Sequence, residues 1–195
     1  MENLVNIVVD QLIENKVIST EDREIYSFGL QEGILLILNI ILTFVIFNLF
    51  SDMRTGLLFL LCFVPVRCYA GGFHAKTRIQ CFIYSFFLIC IAAIGIELIQ
   101  GVTYVLQIML CIISIIILKI SPLENPNKKL YEYETKVYKQ KVTIVVCSEV
   151  AIAFIFGHVF PKILKIMFIS QSLVLLLLLV ALFEKKGKYF SENKK

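Results

Sequence analysis

The chain has 195 residues, of which 58% are hydrophobic and 17% charged, with a formal net charge of +4 and a mean hydropathy of +0.84. Soluble domains are about 45–50% apolar, so this composition predicts a membrane protein and not a soluble domain. The small net charge, with no basic helix outside the apolar runs, gives no support for nucleic-acid binding. Trp is absent, so an interfacial aromatic belt would depend on the eight Tyr.

Residues 1–33 precede the first long apolar run. Apolar residues recur there at positions 4, 7, 8, 12, 17 and 18. This spacing predicts an amphipathic helix on the inner face of the membrane or on the protein itself. Ser19 or Thr20, followed by two acids, is an N-cap signal for a second helix that runs into the first span. The seven acids and two bases of 1–33 favour docking onto basic cytoplasmic loops over binding to anionic lipid. A plain solvated acidic face is the alternative.

Six apolar runs follow, at positions 34–50, 56–66, 82–96, 102–120, 142–160 and 163–183. A bilayer span needs about 20 residues. The run at 56–66 is short and ends near Pro65, so it is a short span, a re-entrant piece or a helix buried behind others. We therefore predict an all-α polytopic membrane protein. Residues 34–183 form about six transmembrane or re-entrant helices, 1–33 the amphipathic segment, and 184–195 a basic cytoplasmic tail.

The distribution of Lys and Arg predicts the orientation of these helices. The segments 67–80 and 119–141 and the tail are rich in bases, which places them in the cytoplasm. The connections near 51–55, 97–101 and 161–162 are then outside, and both termini are inside. Lys162 and Lys165 weigh slightly against this arrangement. The two cytoplasmic loops of interest are 67–81 and 121–141.

The segment 67–81 carries most of the candidate chemistry and reads RCYAGGFHAKTRIQC. A cysteine nucleophile needs a base or a lowered pKa to supply its thiolate. His74 and Cys81 are seven residues apart, which on a straight helix is about 10 Å at 1.5 Å per residue. A working pair therefore requires the helix to break between them.

The sequence predicts such a break at Thr77. Residues 77–80 fit the S/T-x-x-E/Q capping box, so a helix should begin at Arg78 with Cys81 just past its first turn. The helix dipole, together with Lys76 and Arg78, would favour thiolate. The glycine pair 71–72 can adopt positive φ, and its amides are suited to an anion-binding nest or an oxyanion hole.

Each of these features also has an ordinary structural explanation. His74 could be a polar interfacial residue, the glycine pair a simple turn, and Cys81 a buried thiol like Cys90. Cys68 is a competing nucleophile in the same loop, but it has no helix N-terminus beside it. The cysteine and histidine spacing fits no zinc site, so we predict no metal and no cofactor.

Glu149 lies in the middle of the fifth apolar run. An ionisable group at that depth is a functional candidate by default, because it could orient His74 or line a path for peptide export. The alternative is that Glu149 is protonated, or hydrogen-bonded to Gln107 or Gln171.

The motif R-x-x-x-G-G-x-H-A at 67–75, with Cys81 seven residues after the histidine, resembles the signature of the accessory gene regulator protein B (AgrB) family. These are bacterial membrane cysteine peptidases of peptide quorum sensing. The segment 121–128, SPLENPNK, also resembles the Pro-rich, Lys-containing loop of that family. Lys129 stands where related chains often carry another Pro. The agreement in length and in the pattern of apolar runs extends over essentially the whole chain.

The resemblance implies a specific activity at the cytoplasmic face of the bacterial cell membrane. Cys81 would be the nucleophile and His74 its base in cleaving the C-terminal part from a short AgrD-like propeptide. The peptide would remain as a thioester on Cys81 until an internal Cys or Ser closes a thiolactone or lactone ring. Arg67 and Gly72 match family positions important for activity, and Arg67 could grip acidic groups of the propeptide or stabilise the oxyanion. A homodimer is also implied.

Other classes of function explain less of the sequence. A membrane peptide exporter or a scaffold without catalysis gives no reason for His74 and Cys81. An intramembrane metalloprotease would need paired ligands on spans, and the HExxH motif is missing.

Overall fold

The computed structural model describes residues 2–73, 75, 77–100, 103–123 and 131–192. Within these residues the chain forms seven α-helices, and its extended residues form only an isolated bridge. The helices are α1 Glu2–Glu14, α2 Arg23–Phe50, α3 Met53–Ala70, α4 Arg78–Leu98, α5 Thr103–Ile120, α6 Glu132–Phe156 and α7 Pro161–Glu192. The predicted all-α fold is confirmed.

Five of these helices are long and apolar enough to cross a membrane: α2, α3, α4, α5 and α7 as far as Lys185. The chain is therefore a polytopic membrane protein, as its composition predicts. The helix α6 is long enough, but it carries Lys139, Lys141 and Glu149, so composition alone does not mark it as a span. The helix α7 continues past residue 183, so the first part of the predicted tail is helical.

The short apolar run at 56–66 lies within a longer helix than its sequence suggests. The helix α3 begins at Met53, where Asp52 is the N-cap and accepts a hydrogen bond from the Thr55 N–H at 2.8 Å. Pro65 lies inside this helix, which continues to Ala70. The run at 56–66 is therefore part of an 18-residue helix that is long and apolar enough to cross a membrane, which agrees with the first of the three alternatives considered for it.

The chain divides into two compact units, residues 1–43 and 44–195. In the first unit, α1 ends at Glu14 because Lys16 adopts a positive φ of 55°. Hydrogen bonds from the amides of Lys16 to Ile13 O and of Val17 to Leu12 O complete a Schellman motif. Val17 and Ile18, which the sequence pattern assigned to this helix, therefore lie outside α1.

The face of α1 and the start of α2 also differ from the prediction. The helix α1 buries Val5 and Val9, whereas Leu4, at 69% exposure, and Ile7 are exposed. The helix α2 begins at Arg23, because the Ser19 hydroxyl caps the amide of Asp22 in the turn before it. The Arg23 guanidinium donates to the Asp10 carboxylate at 2.9 Å and so joins the two helices.

In the second unit, α7 packs against α3, α4, α5 and α6, and α6 also packs against α3 and α5. One cluster of buried side chains in this unit forms an aliphatic core. It consists of Val66, Ala70, Ile117, Val142, Val146, Val174 and Leu178. Because Ala70 is the last residue of α3, this core lies directly beside the loop that begins at Gly71.

Polar residues tie three helix ends together far from that loop. The Lys162 ammonium lies 2.8 Å from the Asp52 carboxylate, 3.1 Å from the Glu97 carboxylate and 2.9 Å from the Ser51 hydroxyl. Ser51 also donates to Glu97. The connections predicted near 51–55, 97–101 and 161–162 therefore contribute residues to one end of the bundle.

Candidate active site

The loop after α3 is organised by Arg67, which lies in the last turn of that helix. Its two terminal nitrogens donate hydrogen bonds to backbone carbonyl oxygens, Nη1 to Gly71 O and Nη2 to Phe73 O. A planar guanidinium suits this double contact because its donors form a rigid fork. Arg67 therefore holds the glycine loop from within, and its roles toward the propeptide or the oxyanion stay predictions.

Both glycines of the pair are required by the backbone. Gly71 and Gly72 have φ values of +76° and +124°, where side-chain-bearing residues are strained. A Cβ on Gly71 would lie 2.2 Å from Leu123 O, and one on Gly72 would lie 2.5 Å from Nη1 of Arg67. The predicted positive φ is confirmed at both positions.

The glycine loop is also fixed to two other parts of the bundle. The Leu123 amide donates to Ala70 O at 2.9 Å, and Leu123 forms a parallel bridge with Gly71. The Phe73 amide donates to Leu177 O of α7 at 3.2 Å. The Phe73 ring packs on the Tyr84 ring of α4, with a centroid distance of 5.8 Å. These contacts join the first and second predicted cytoplasmic loops at one place.

The helix α4 begins as the capping box predicts. Thr77 is its N-cap, and the Thr77 hydroxyl accepts a hydrogen bond from the Gln80 amide at 3.3 Å. Arg78 is the first helical residue and is half-buried. The Cys81 amide donates to Thr77 O at 3.0 Å, so Cys81 is the fourth residue of α4 and lies at the end of the first turn, next to the predicted position just past it. Cys81 is half-buried.

The Arg67 guanidinium lies within electrostatic range of both candidate thiols, those of Cys68 and Cys81. His74 and Lys76, the predicted base and one of the predicted basic neighbours, lie outside the described residues. Among the described residues no cluster of His, Cys, Asp and Glu side chains is suited to hold a metal ion.

A sequence model of a protein family, described as Accessory gene regulator B, matches residues 5–184. The chain belongs to the accessory gene regulator B family. No curated protein and no solved structure gives a significant match to it. Family membership assigns this membrane protein a role in the accessory gene regulator system.

The two candidate thiols of this accessory gene regulator B protein lie at different helix ends, Cys68 near the C-terminus of α3 and Cys81 near the N-terminus of α4. Cys68 is exposed in the last turn of α3, where the helix dipole is negative. Cys81 lies in the first turn of α4, where the dipole is positive. Cys81 therefore lies at the kind of helix end that attracts negative charge, and Cys68 lies at the kind that attracts positive charge.

Glu149 lies in a hydrogen-bonded network within the bundle. The Gln171 side-chain amide donates to the Glu149 carboxyl group at 2.9 Å, and the Ser114 hydroxyl donates to the Gln171 carbonyl oxygen at 2.6 Å. Gln107 instead donates to Ala153 O at 3.1 Å. Of the two glutamines considered from the sequence, Gln171 is the partner of Glu149.

Three residues of the accessory gene regulator B site escaped the sequence analysis. Leu123 and Leu177 contribute backbone groups, so their side chains give no signal of a site. Lys139 of α6 donates to the carbonyl oxygens of Leu118 and of Ser121, the latter at 2.8 Å. In the sequence, Lys139 is one of several lysines of the predicted loop 121–141, so nothing distinguished it from its neighbours.

Proposed function

We propose that this protein is a membrane cysteine endopeptidase that processes a short quorum-sensing propeptide and prepares it for cyclisation. The observation that carries the proposal is the position of Cys81. It is half-buried in the first turn of α4 and follows a glycine loop whose carbonyl groups are held by Arg67. Family membership supports the same assignment.

Cys81 has two features that support thiolate formation. The amides of the first turn of α4 give that helix end a partial positive charge. The Arg67 guanidinium adds a full positive charge within electrostatic range of the Cys81 sulfur. A thiolate at neutral pH is the species that attacks a peptide carbonyl. His74 is proposed as the base on the strength of its sequence position and the family motif.

The proposed reaction has two acyl transfers. The Cys81 sulfur attacks the carbonyl carbon of the scissile bond, and His74 passes the thiol proton to the departing amine. The C-terminal fragment leaves, and the remaining peptide is held as a thioester. An internal Cys or Ser of the peptide then attacks the thioester, which closes the ring and returns the thiol of Cys81.

The thioester must be protected from hydrolysis until the ring closes. The glycine loop supports this requirement because it packs against α7 through Phe73 and Leu177, beside the aliphatic core. Gly72 is buried in this arrangement.

The test is co-expression of this protein with an AgrD-like propeptide, followed by mass spectrometry of the peptide. We expect the wild type and Cys68→Ala to cut the propeptide, while Cys81→Ala and His74→Ala leave it intact. Cys68→Ala is the matched control because it removes the neighbouring thiol. Equal processing by all four proteins would contradict the catalytic assignment and favour the exporter or scaffold.

A further inference from the structure

We propose that Lys139 is a positioning residue for this acyl transfer, acting on the glycine loop through the turn that follows α5. The inference rests on the proposed peptidase function and extends the site to a helix that contributes no residue to the 67–81 motif. Three successive contacts carry it, each between described residues.

The first contact is between Lys139 and the end of α5. The last four carbonyl groups of an α-helix have no partner within the helix and attract a cation. Lys139 is half-buried, and its ammonium donates to Leu118 O and Ser121 O. Ser121 is 4% exposed. The ammonium therefore closes a buried turn.

The second contact passes from that turn to the glycine loop. Leu123 is two residues after Ser121, and its amide donates to Ala70 O at 2.9 Å. A Cβ added to Gly71 would lie only 2.2 Å from the carbonyl oxygen of Leu123. With so little space between the two segments, a displacement of Leu123 displaces Gly71.

The third contact passes from the glycine loop to α4. Gly71 O and Phe73 O share the Arg67 guanidinium, so the loop moves as one piece with that charge. The Phe73 ring packs on Tyr84, one turn after Cys81. A misplacement of about 1 Å at a reacting centre slows a reaction by about 100-fold. Lys139 is therefore placed to control the rate without touching the substrate.

Two other lysines of α6 show what an ordinary surface lysine does here. The Lys136 side chain is 76% exposed and lies 3.7 Å from Glu132 one turn earlier. Lys141 is exposed, and its ammonium lies 5.1 Å from the centre of the Tyr69 ring. Lys136 is the better control, since it shares the helix and the charge of Lys139. In the described interactions it contacts neither the glycine loop nor the turn after α5.

The kinetic test uses the full-length protein in lipid nanodiscs with the propeptide. Lys139→Met keeps the apolar stem and removes the ammonium. We expect it to lower the single-turnover cleavage rate by about 10- to 100-fold. The propeptide concentration at half-saturation should stay unchanged. Lys139→Arg, which still donates to two carbonyls, should recover most of the rate, and Lys136→Met should match the wild type.

The structural test measures hydrogen exchange in the same proteins without propeptide. We expect faster exchange at the amides of Leu123 and Phe73 in Lys139→Met, and unchanged exchange in Lys136→Met. Unchanged exchange in Lys139→Met would overturn the positioning link whatever the activity. Faster exchange with an unchanged cleavage rate would overturn the kinetic role. A wild type that leaves the propeptide uncut contradicts the peptidase assignment, a result distinct from either.

Discussion

At the scale of single residues, the surroundings of Gly72 leave no room for a side chain. Its φ is +124°, and an added Cβ would lie 2.5 Å from Nη1 of Arg67. The guanidinium would have to move, and it could then no longer hold Gly71 O and Phe73 O together. The conformation required of Gly72 and the fork of Arg67 are therefore one structural unit.

We predict that Gly72→Ala abolishes most propeptide cleavage and destabilises the fold by about 1–3 kcal/mol, the usual range for a strained φ. Cleavage is measured by mass spectrometry and stability by thermal unfolding in nanodiscs. The matched control is Gly29→Ala on α2, where an added Cβ meets nothing within 4 Å. A Gly72→Ala protein that cleaves as fast as the Gly29→Ala control would refute the coupling of Gly72 to Arg67.

At the element scale, the sequence predicted local features better than contacts between helices. The start of α4 was predictable because capping by Thr77 depends on residues within four positions of one another. The continuation of α3 through Pro65 was not, because helix length there is set by packing as well as by propensity. The start of α2 was predicted two or three residues too early, since Ser19 caps the turn before the helix.

The candidate site follows the same division. The positive φ of the glycine pair and the place of Cys81 in the first turn were predicted from local sequence. The contribution of Leu123 was not predictable, because it uses backbone atoms to meet Gly71 across more than fifty residues of chain. The role of Lys139 was not predictable either, because its partners are backbone carbonyl groups of Leu118 and Ser121, which give no signal in the sequence.

The polar network between α5, α6 and α7 gives a prediction at this scale. Gln171 is buried and uses both ends of its amide, one to Ser114 and one to Glu149. We predict that Gln171→Leu destabilises the bundle by about 1–3 kcal/mol, because two buried polar groups lose a partner. Thermal unfolding in nanodiscs measures this change.

The control for that experiment is Ser172→Ala, one position along α7. The Ser172 hydroxyl is half-buried and bonds to Phe168 O within its own helix. Removing it breaks no contact between helices, so its effect should be small. Equal destabilisation by Gln171→Leu and Ser172→Ala would mean that the network does not hold the three helices together.

At the scale of the whole molecule, the polar cluster of Asp52, Glu97 and Lys162 joins the ends of α3, α4 and α7. The hydrogen bond from Lys162, assisted by those from Thr55, holds the pKa of the Asp52 carboxyl well below its usual range. A carboxyl with a lowered folded-state pKa stabilises the fold above its unfolded pKa of about 3.9. That stability is lost as the pH falls toward the folded-state value.

We predict that Asp52→Asn lowers the unfolding temperature at pH 7. Asn is itself a good N-cap, so the variant keeps the start of α3 and removes only the charge. The difference from the wild type should shrink as the pH falls from about 4 toward the folded-state pKa of Asp52, because the carboxyl is protonated first in the unfolded chain and only at lower pH in the fold. Unfolding scans at a series of pH values test this. A difference that persists unchanged at the lowest pH would show that the charge of Asp52 does not contribute.

The same cluster gives a reference level for the depth of Cys81. Sixteen residues of α4 separate Cys81 from Glu97, which is about 24 Å at 1.5 Å per residue. The apolar run of α7 from Ile163 to Phe183 spans 21 residues, or about 32 Å, close to the thickness of a hydrocarbon core. If α4 and α7 both cross the bilayer along its normal, these lengths predict that Cys81 lies several ångström inside the far boundary, a depth that suits a thioester that water must not reach.

We predict a corresponding order of depths for nitroxide labels on single-cysteine proteins. Collisions with oxygen, relative to those with a water-soluble nickel complex, should increase from Thr77→Cys to Cys81 to Cys90, which follow one another along α4. Electron paramagnetic resonance in nanodiscs measures this ratio. A Cys81 label as exposed to nickel as the Thr77→Cys label would place the thiol in water and contradict the recessed site.

The central claim, that Cys81 is the acyl-carrying nucleophile, is tested most directly by the mass of the protein itself. A propeptide whose internal ring-forming residue is replaced by Ala cannot leave the enzyme by cyclisation, so the acyl-enzyme should accumulate. We predict an added mass equal to the propeptide without its C-terminal fragment. It should map to the peptide that contains Cys81 and be removed by hydroxylamine. An unmodified Cys81 despite cleavage, or an adduct on Cys68, would contradict the account.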